Sequence, residues 1–343
     1  MSVDQTLAET SNLLVYSAMT VYTGAFIAFA VDLSSRGKQA AARRAAVSSG
    51  AEAKVPVGAG GSSIGGSSSS ADVVRTTNER DADVDTQVRR PAAGIAMSLT
   101  WLAFLLHAGG VLTRGLSAHR VPWSNMYEFS ITGSMVVTAV FLALVLRRKE
   151  LRYLGTFVVG PVLLTLGLAV AVLYTASAQL APALQSYWLV IHVSVAFIAS
   201  ALLTISFSTA VLQLVQNRRE AARALGRDPK GARFMDGLPG SAVFDQITYR
   251  LIAVSFPLWT FTVIAGAIWA EKAWGRYWGW DPKEVWSFVI WVVYAAYLHA
   301  KVTRGWEGRR AAYFALAGFA CLLINYGVVN LVFAGKHSYA GVG

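Results

Sequence analysis

Long uncharged stretches alternate with short charged ones along nearly the whole chain, and eight of them approach the roughly 20 apolar residues that a hydrocarbon crossing requires. The first covers 10–31 between Glu9 and Asp32, the second about 92–113 up to Arg114, and the third 129–146 between Glu128 and Arg147. Residues 153–217 contain no Asp, Glu, Lys or Arg, which is too long for one helix and predicts a hairpin broken near Ala181-Pro182. Spans over about 251–270, 285–300 and 311–335 complete the set. The pattern predicts an all-α polytopic integral membrane protein of about eight transmembrane helices. An even count places both termini on one face.

Charge decides which face. All but six of the 30 Lys and Arg fall in the loops after the odd-numbered spans or on their flanks, the exceptions being Arg114, Arg120, Lys272, Arg276, Lys283 and Lys336. Basic residues stay cytoplasmic, so both termini are expected on the outer, extracytoplasmic face of the plasma membrane. The net charge of +11 is accounted for by those inner loops, and nucleic acid is excluded as a partner. Residues 1–32 read as a retained anchor, because Asp4 and Glu9 stand where a signal peptide would be basic. Residues 33–93, with VGAGGSSIGGSSSS at 57–70, are expected to form a disordered cytoplasmic loop, since Gly and Ser bury too little apolar surface to order the chain. The lone Cys321 gives neither a disulfide nor a CxxC pair.

The chemistry concentrates in the loop before the seventh span, WGRYWGWDPKE at 274–284. Tryptophans also gather at any membrane interface, and Asp281, Pro282 and Glu284 make a good capping box. Yet Trp274, Tyr277, Trp278 and Asp281 stand at i, i+3, i+4 and i+7, one face of a helical turn, with Trp280 just beside it. This spacing predicts a flat aromatic platform for a large conjugated ligand, with Lys272, Arg276 and Lys283 near enough to pair with carboxylates on its rim.

Haem is such a ligand, and its iron takes axial imidazoles. Of the five histidines, His192 is expected about one and a half turns into the fifth span from its outer end, and His337 just beyond the outer end of the eighth. Those two can converge on the platform. His299 is expected near the cytoplasmic end of the seventh span, about 22 Å from Asp281 at 1.5 Å per residue, which implies a separate inner haem position. His107 and His119 could serve as accessory contacts, and Arg114 and Arg120 serve equally as haem-carboxylate partners or interface charges.

The run WGRYWGWDPKEVWSFVIWVVYAAYLHAK at 274–301 resembles the tryptophan-rich WWD signature of haem-handling proteins, and most closely the CcsA/ResC cytochrome c biogenesis proteins of system II. HAGGVLTRGLSAHRVPWSNMYE (107–128), SYWLVIHVSVAF (186–197) and NYGVVNLVFAGKHSY (325–339) carry the same resemblance. It covers about 94–340 and marks 94–343 as a haem-handling membrane domain with its signature at 271–284. It implies that His192 and His337 hold haem b, as transported substrate, on the outer face, and that His299 serves haem within the membrane. It further implies a ResB/CcsB-like membrane partner, apocytochrome c as the acceptor and thiol-reducing proteins on the outer face. The function so implied is presentation of haem for thioether attachment to CxxCH cysteines, within a cytochrome c haem lyase complex. An electron-transfer cytochrome b subunit, or a haem-free transporter whose tryptophans form only a belt, are the alternatives.

Overall fold

Backbone N–H and C=O groups in hydrocarbon have no water to bond, so each apolar stretch must close its own hydrogen bonds as a helix. The computed structural model describes residues 3–48, 90–179, 184–229 and 231–337, and in them every expected span is helical. These are α1 (Gln5–Ser48), α2 (Pro91–Ser117), α3 (Met126–Arg147), α4 (Gly155–Ala171), α5 (Tyr187–Ala224), α6 (Ser241–Trp274), α7 (Pro282–Arg304) and α8 (Arg309–Leu323). A 3₁₀ turn, Lys149–Leu154, leads into α4, and another, Arg233–Gly237, precedes α6. A π-turn, Ile324–Val328, carries α8 into the four-residue α9, Val329–Val332. Eight of the described helices are long and apolar enough to span a membrane, and the described residues contain no strand. The chain is an all-helical multi-pass membrane protein.

The hairpin between the fourth and fifth spans opens between Ala171 and Tyr187, while Ala181-Pro182 lies outside the described residues. Residues 33–48 do not form the expected loop; they continue α1. Their Ala, Arg, Lys and Gln are strong helix formers, and Arg36 pairs with Asp32 one turn back at 2.7 Å. This extension then docks on the 3₁₀ turn before α6. A Cβ on Gly37 would stand 2.7 Å from the Arg233 carbonyl, and Arg44 reaches Asp236 at 2.8 Å. The Gly/Ser stretch 57–70 lies outside the described residues.

Close helix pairs are made by small residues, as expected where lipid leaves van der Waals fit and hydrogen bonds as the main glue. Along α1 and α2, a Cβ on Gly110 would meet Val15 at 2.9 Å, and the Ser11 hydroxyl donates to the Gly110 carbonyl at 2.7 Å. α5 and α6 form the second long pair, with α3, α7 and α8 packed around them. At the basic end of the bundle, Asp236 gathers Arg44, Arg219 and Arg223, and Asp245 gathers Gln213 and Lys301. At the other end this antiparallel order brings together the start of α5, the end of α6, the start of α7 and the segment after α9. The histidines and tryptophans meet there.

Candidate haem site

The tryptophan segment is not a helical face. α6 stops at Trp274 because Gly275 takes the left-handed conformation (φ 70°) and its N–H donates to the Glu271 carbonyl at 2.8 Å. Residues 276–280 then run without helical hydrogen bonding, and Trp280 itself has φ 59°. The rings therefore split into two groups. Trp274 turns back onto Trp269 and His337, each at a centroid distance of 4.8 Å. Tyr277 and Trp278 line a cavity, while Trp280 packs edge-on to Trp278 at 5.8 Å and is 74% exposed.

Glu284 organises this irregular stretch. It accepts from the backbone N–H of Gly279 at 2.7 Å and of Asp281 at 3.1 Å, and pairs with Arg276 at 3.2 Å. The capping box predicted for α7 is present, with Asp281 as N-cap and Pro282 in the first turn. Arg276 lies 5.9 Å over the Trp274 ring as well, so its charge is engaged within the segment.

Asp281 also fixes the chain after α9. Its carboxylate accepts from the Lys336 N–H at 2.7 Å and from His337 Nδ1 at 2.8 Å. Burial pushes the Asp281 carboxyl pKa up, but the hydrogen bonds from His337 and Lys336 outweigh it, and the net shift is downward. For His337 burial is the larger influence and favours the neutral ring, so its pKa lies below the ordinary histidine value despite Asp281.

His192 is held in the same way by a different acceptor. Its Nδ1 lies 2.8 Å from the Thr262 carbonyl, one residue row along α6 from Gly266, where a Cβ would stand 2.7 Å from the imidazole Cε1. A carbonyl only accepts, so Nδ1 carries the proton and Nε2 keeps its lone pair. The Asp281 carboxylate imposes the same tautomer on His337. Fixing one ring nitrogen in this way is how a protein aims the other at a metal. Both histidines line one cavity, and both touch Trp269, with centroids at 6.2 Å for His192 and 5.5 Å for His337.

That cavity has a volume of about 510 Å³ and lies between α3, α4, α5, α6 and α8 with the start of α7. Lys283 is the one Lys or Arg among its lining residues. Its Nζ donates to the Asn325 carbonyl at 2.9 Å and to Asn330 Oδ1 at 3.1 Å, which leaves one of its three N–H donors for a ligand. An apolar chamber with two basic imidazole nitrogens and one cation suits a large planar ligand bearing acid groups and a metal centre.

Other expected contacts lie elsewhere. Arg114 and Arg120 converge on the fully buried Glu128, at 3.1 and 2.6 Å, and on the carbonyls of Thr175 and Ala178. They are structural, because a buried carboxylate needs those partners, and neither lines the cavity. His107 is buried edge-on against Tyr22 in the core of α1, α2 and α3. His119 is exposed with φ 53°, and Lys272 pairs with Glu271 at 2.9 Å. His299 is exposed near the end of α7, and the lining residues of that helix stop at Ser287. Thr262, Gly266 and Trp269 were absent from the expected site; their spacing of i, i+4 and i+7 on the helix leading into the tryptophan segment was the available signal.

Glu128→Gln should destabilise the protein by about 3 kcal/mol, the cost of leaving a buried arginine without its counter-charge. Thermal unfolding in detergent reads this, and an unchanged melting temperature would show that the triad adds nothing.

A family model described as cytochrome C assembly protein matches residues 123–337. The cytochrome c biogenesis protein CcsA of Synechococcus elongatus is 36% identical over 288 residues, covering 72% of this chain and 86% of that protein. The protein of the same name from Guillardia theta is 38% identical over 242 residues, covering 66% and 79%. That from Synechocystis is 35% identical over 276 residues, covering 66% and 82%. The matched residues run from the loop before α3 to His337 and so take in the whole cavity.

Proposed function

Since the chain belongs to the CcsA family of cytochrome c assembly proteins, we propose that it holds haem b between His192 and His337 and presents it to apocytochrome c. The observation that carries this reading is the pair of imidazoles whose Nδ1 atoms are tied to Thr262 and Asp281, both lining the cavity. The cation count of the loops supports an extracytoplasmic site in the plasma membrane, with both termini on that side.

Haem is the cargo, and the residues divide its recognition. His192 and His337 offer Nε2 to the iron, Trp269 and Trp278 offer apolar faces, and Lys283 offers a donor to a haem carboxylate. Asp281 and Glu284 hold these groups in place and take no part in proton transfer. Attachment is addition of each cysteine S–H across one vinyl group: sulfur bonds to one carbon, the proton goes to the other, and no electrons leave the system. The contribution of the chain is to fix the haem so that the thiols meet the vinyl edge. His299, exposed on α7, suits a second haem position completed by a ResB/CcsB-like partner, and thiol-reducing proteins would keep the acceptor cysteines ready.

The test is co-expression with a ResB-like partner and an apocytochrome reporter. The purified complex should carry reduced low-spin haem, and the reporter should retain haem after denaturation. A complex that contains no haem, with a reporter that stays apo, would leave the tryptophans as an interfacial belt only.

A further inference from the structure

The cavity extends far below the histidines. Its lining residues on α5 run from His192 to Phe207, which is about 22 Å at the helical rise. In its lower part the wall is apolar or hydroxylic, with Ser134, Thr165, Ser200 and Thr204 among its lining residues, and contains no charged side chain. Thr204 donates to the Ser200 carbonyl on its own helix. A haem seated at the histidines needs no such extension.

At mid-depth two lining residues are also highly accessible. Leu164 on α4 is 76% exposed and Leu323 on α8 is 52% exposed. The two helices run in the same direction, and α5 relates their depths: its Ser208 donates to the Phe157 carbonyl on α4 and its Phe207 stacks on Phe319 on α8, so Leu164, two turns beyond Phe157, and Leu323, one turn beyond Phe319, lie at similar depths. α4 rests on α1 and α3, α8 rests on α5 and α7, and neither packs along the other. Since α4 and α8 do not pack together, the cavity has a helix seam there with an exposed leucine on each side.

We infer that haem reaches the histidine pair laterally from the bilayer through this mouth between α4 and α8, and rises along α5 to Lys283. The inference rests on the haem-binding reading of the cavity. A large apolar ring passes an uncharged wall without displacing any ion pair, and its carboxylates meet their first cation at Lys283. α7 supplies no equivalent path, because it lines the cavity only in its first two turns and His299 lies beyond them on the exposed side.

The experiment follows haem transfer from haem-loaded phospholipid vesicles to the chain and its partner in nanodiscs, by the rise of the low-spin spectrum. Leu164→Trp with Leu323→Trp should slow loading about tenfold, equivalent to about 1.4 kcal/mol of barrier, and leave the final spectrum unchanged. Leu168→Trp, exposed on the same helix but outside the lining, should load at the wild-type rate. Should the tryptophan pair unfold the protein, Leu164→Ala with Leu323→Ala widens the mouth and should speed loading. A wild type that loads normally, with both pairs matching its rate, overturns the lateral route. A wild type that never acquires haem instead defeats the histidine-pair reading on which the route depends.

Discussion

Replacing His192 and His337 together by glycine is expected to remove the low-spin haem spectrum, and added imidazole is expected to restore it. Glycine leaves a space that free imidazole fits, so rescue separates loss of a ligand from loss of the fold. In the chain purified without a ResB/CcsB-like partner the effect should be near complete, because no other histidine lines the cavity: His107 is in the α1–α3 core, His119 is exposed beyond α2, and His299 lies far along α7. Retention of the full spectrum by the double variant would refute the ligand assignment. Loss without imidazole rescue, with the melting temperature lowered, would make these histidines structural.

Asp281→Asn should lower haem affinity by about 10–100-fold, the usual cost of losing the group that orients a metal-binding histidine. Asp281 does more than orient His337. It also caps α7 and accepts the Lys336 N–H, so it joins the two segments that bring the ring to the cavity. A titration separates this role from a general loss of structure. Ligation needs a neutral imidazole, and burial already holds the His337 pKa below its ordinary value. As pH falls below about 6.5, the ordinary histidine value, an unfolded chain takes up a proton that buried His337 resists, so protonation opposes both folding and ligation. The Asp281 charge raises the His337 pKa, so the asparagine variant should release haem at a lower pH than wild type while binding it more weakly at neutral pH. Weaker binding with an unmoved acid midpoint would mean that Asp281 acts through the α7 cap alone.

Much of this protein is legible without coordinates, because the strongest constraints are local. Hydrocarbon requires long uncharged stretches, so the eight helices follow from where Asp, Glu, Lys and Arg are absent. The cap of α7 follows from Asp281, Pro282 and Glu284, which interact within one turn. The ends of the spans put His192 and His337 at the same end of the bundle by helix length and direction alone.

Tertiary structure decided what lies between helices. These spans are apolar almost all round, so sequence periodicity scarcely reveals which face of α6 meets His192, and Thr262, Gly266 and Trp269 emerge only once α5 and α6 are paired. Arg114 and Arg120 look like free cations until Glu128, brought beneath them by the turn from α2 to α3, claims both. The tryptophan segment has helical spacing yet is not helical, because Gly275 ends α6 and Glu284 collects the freed N–H groups. Local chemistry therefore set the spans, the cap and the end of the bundle where the histidines lie. The partners that aim each imidazole and leave the cavity open came from long-range packing, whose hydrogen bonds depend on which helices become neighbours.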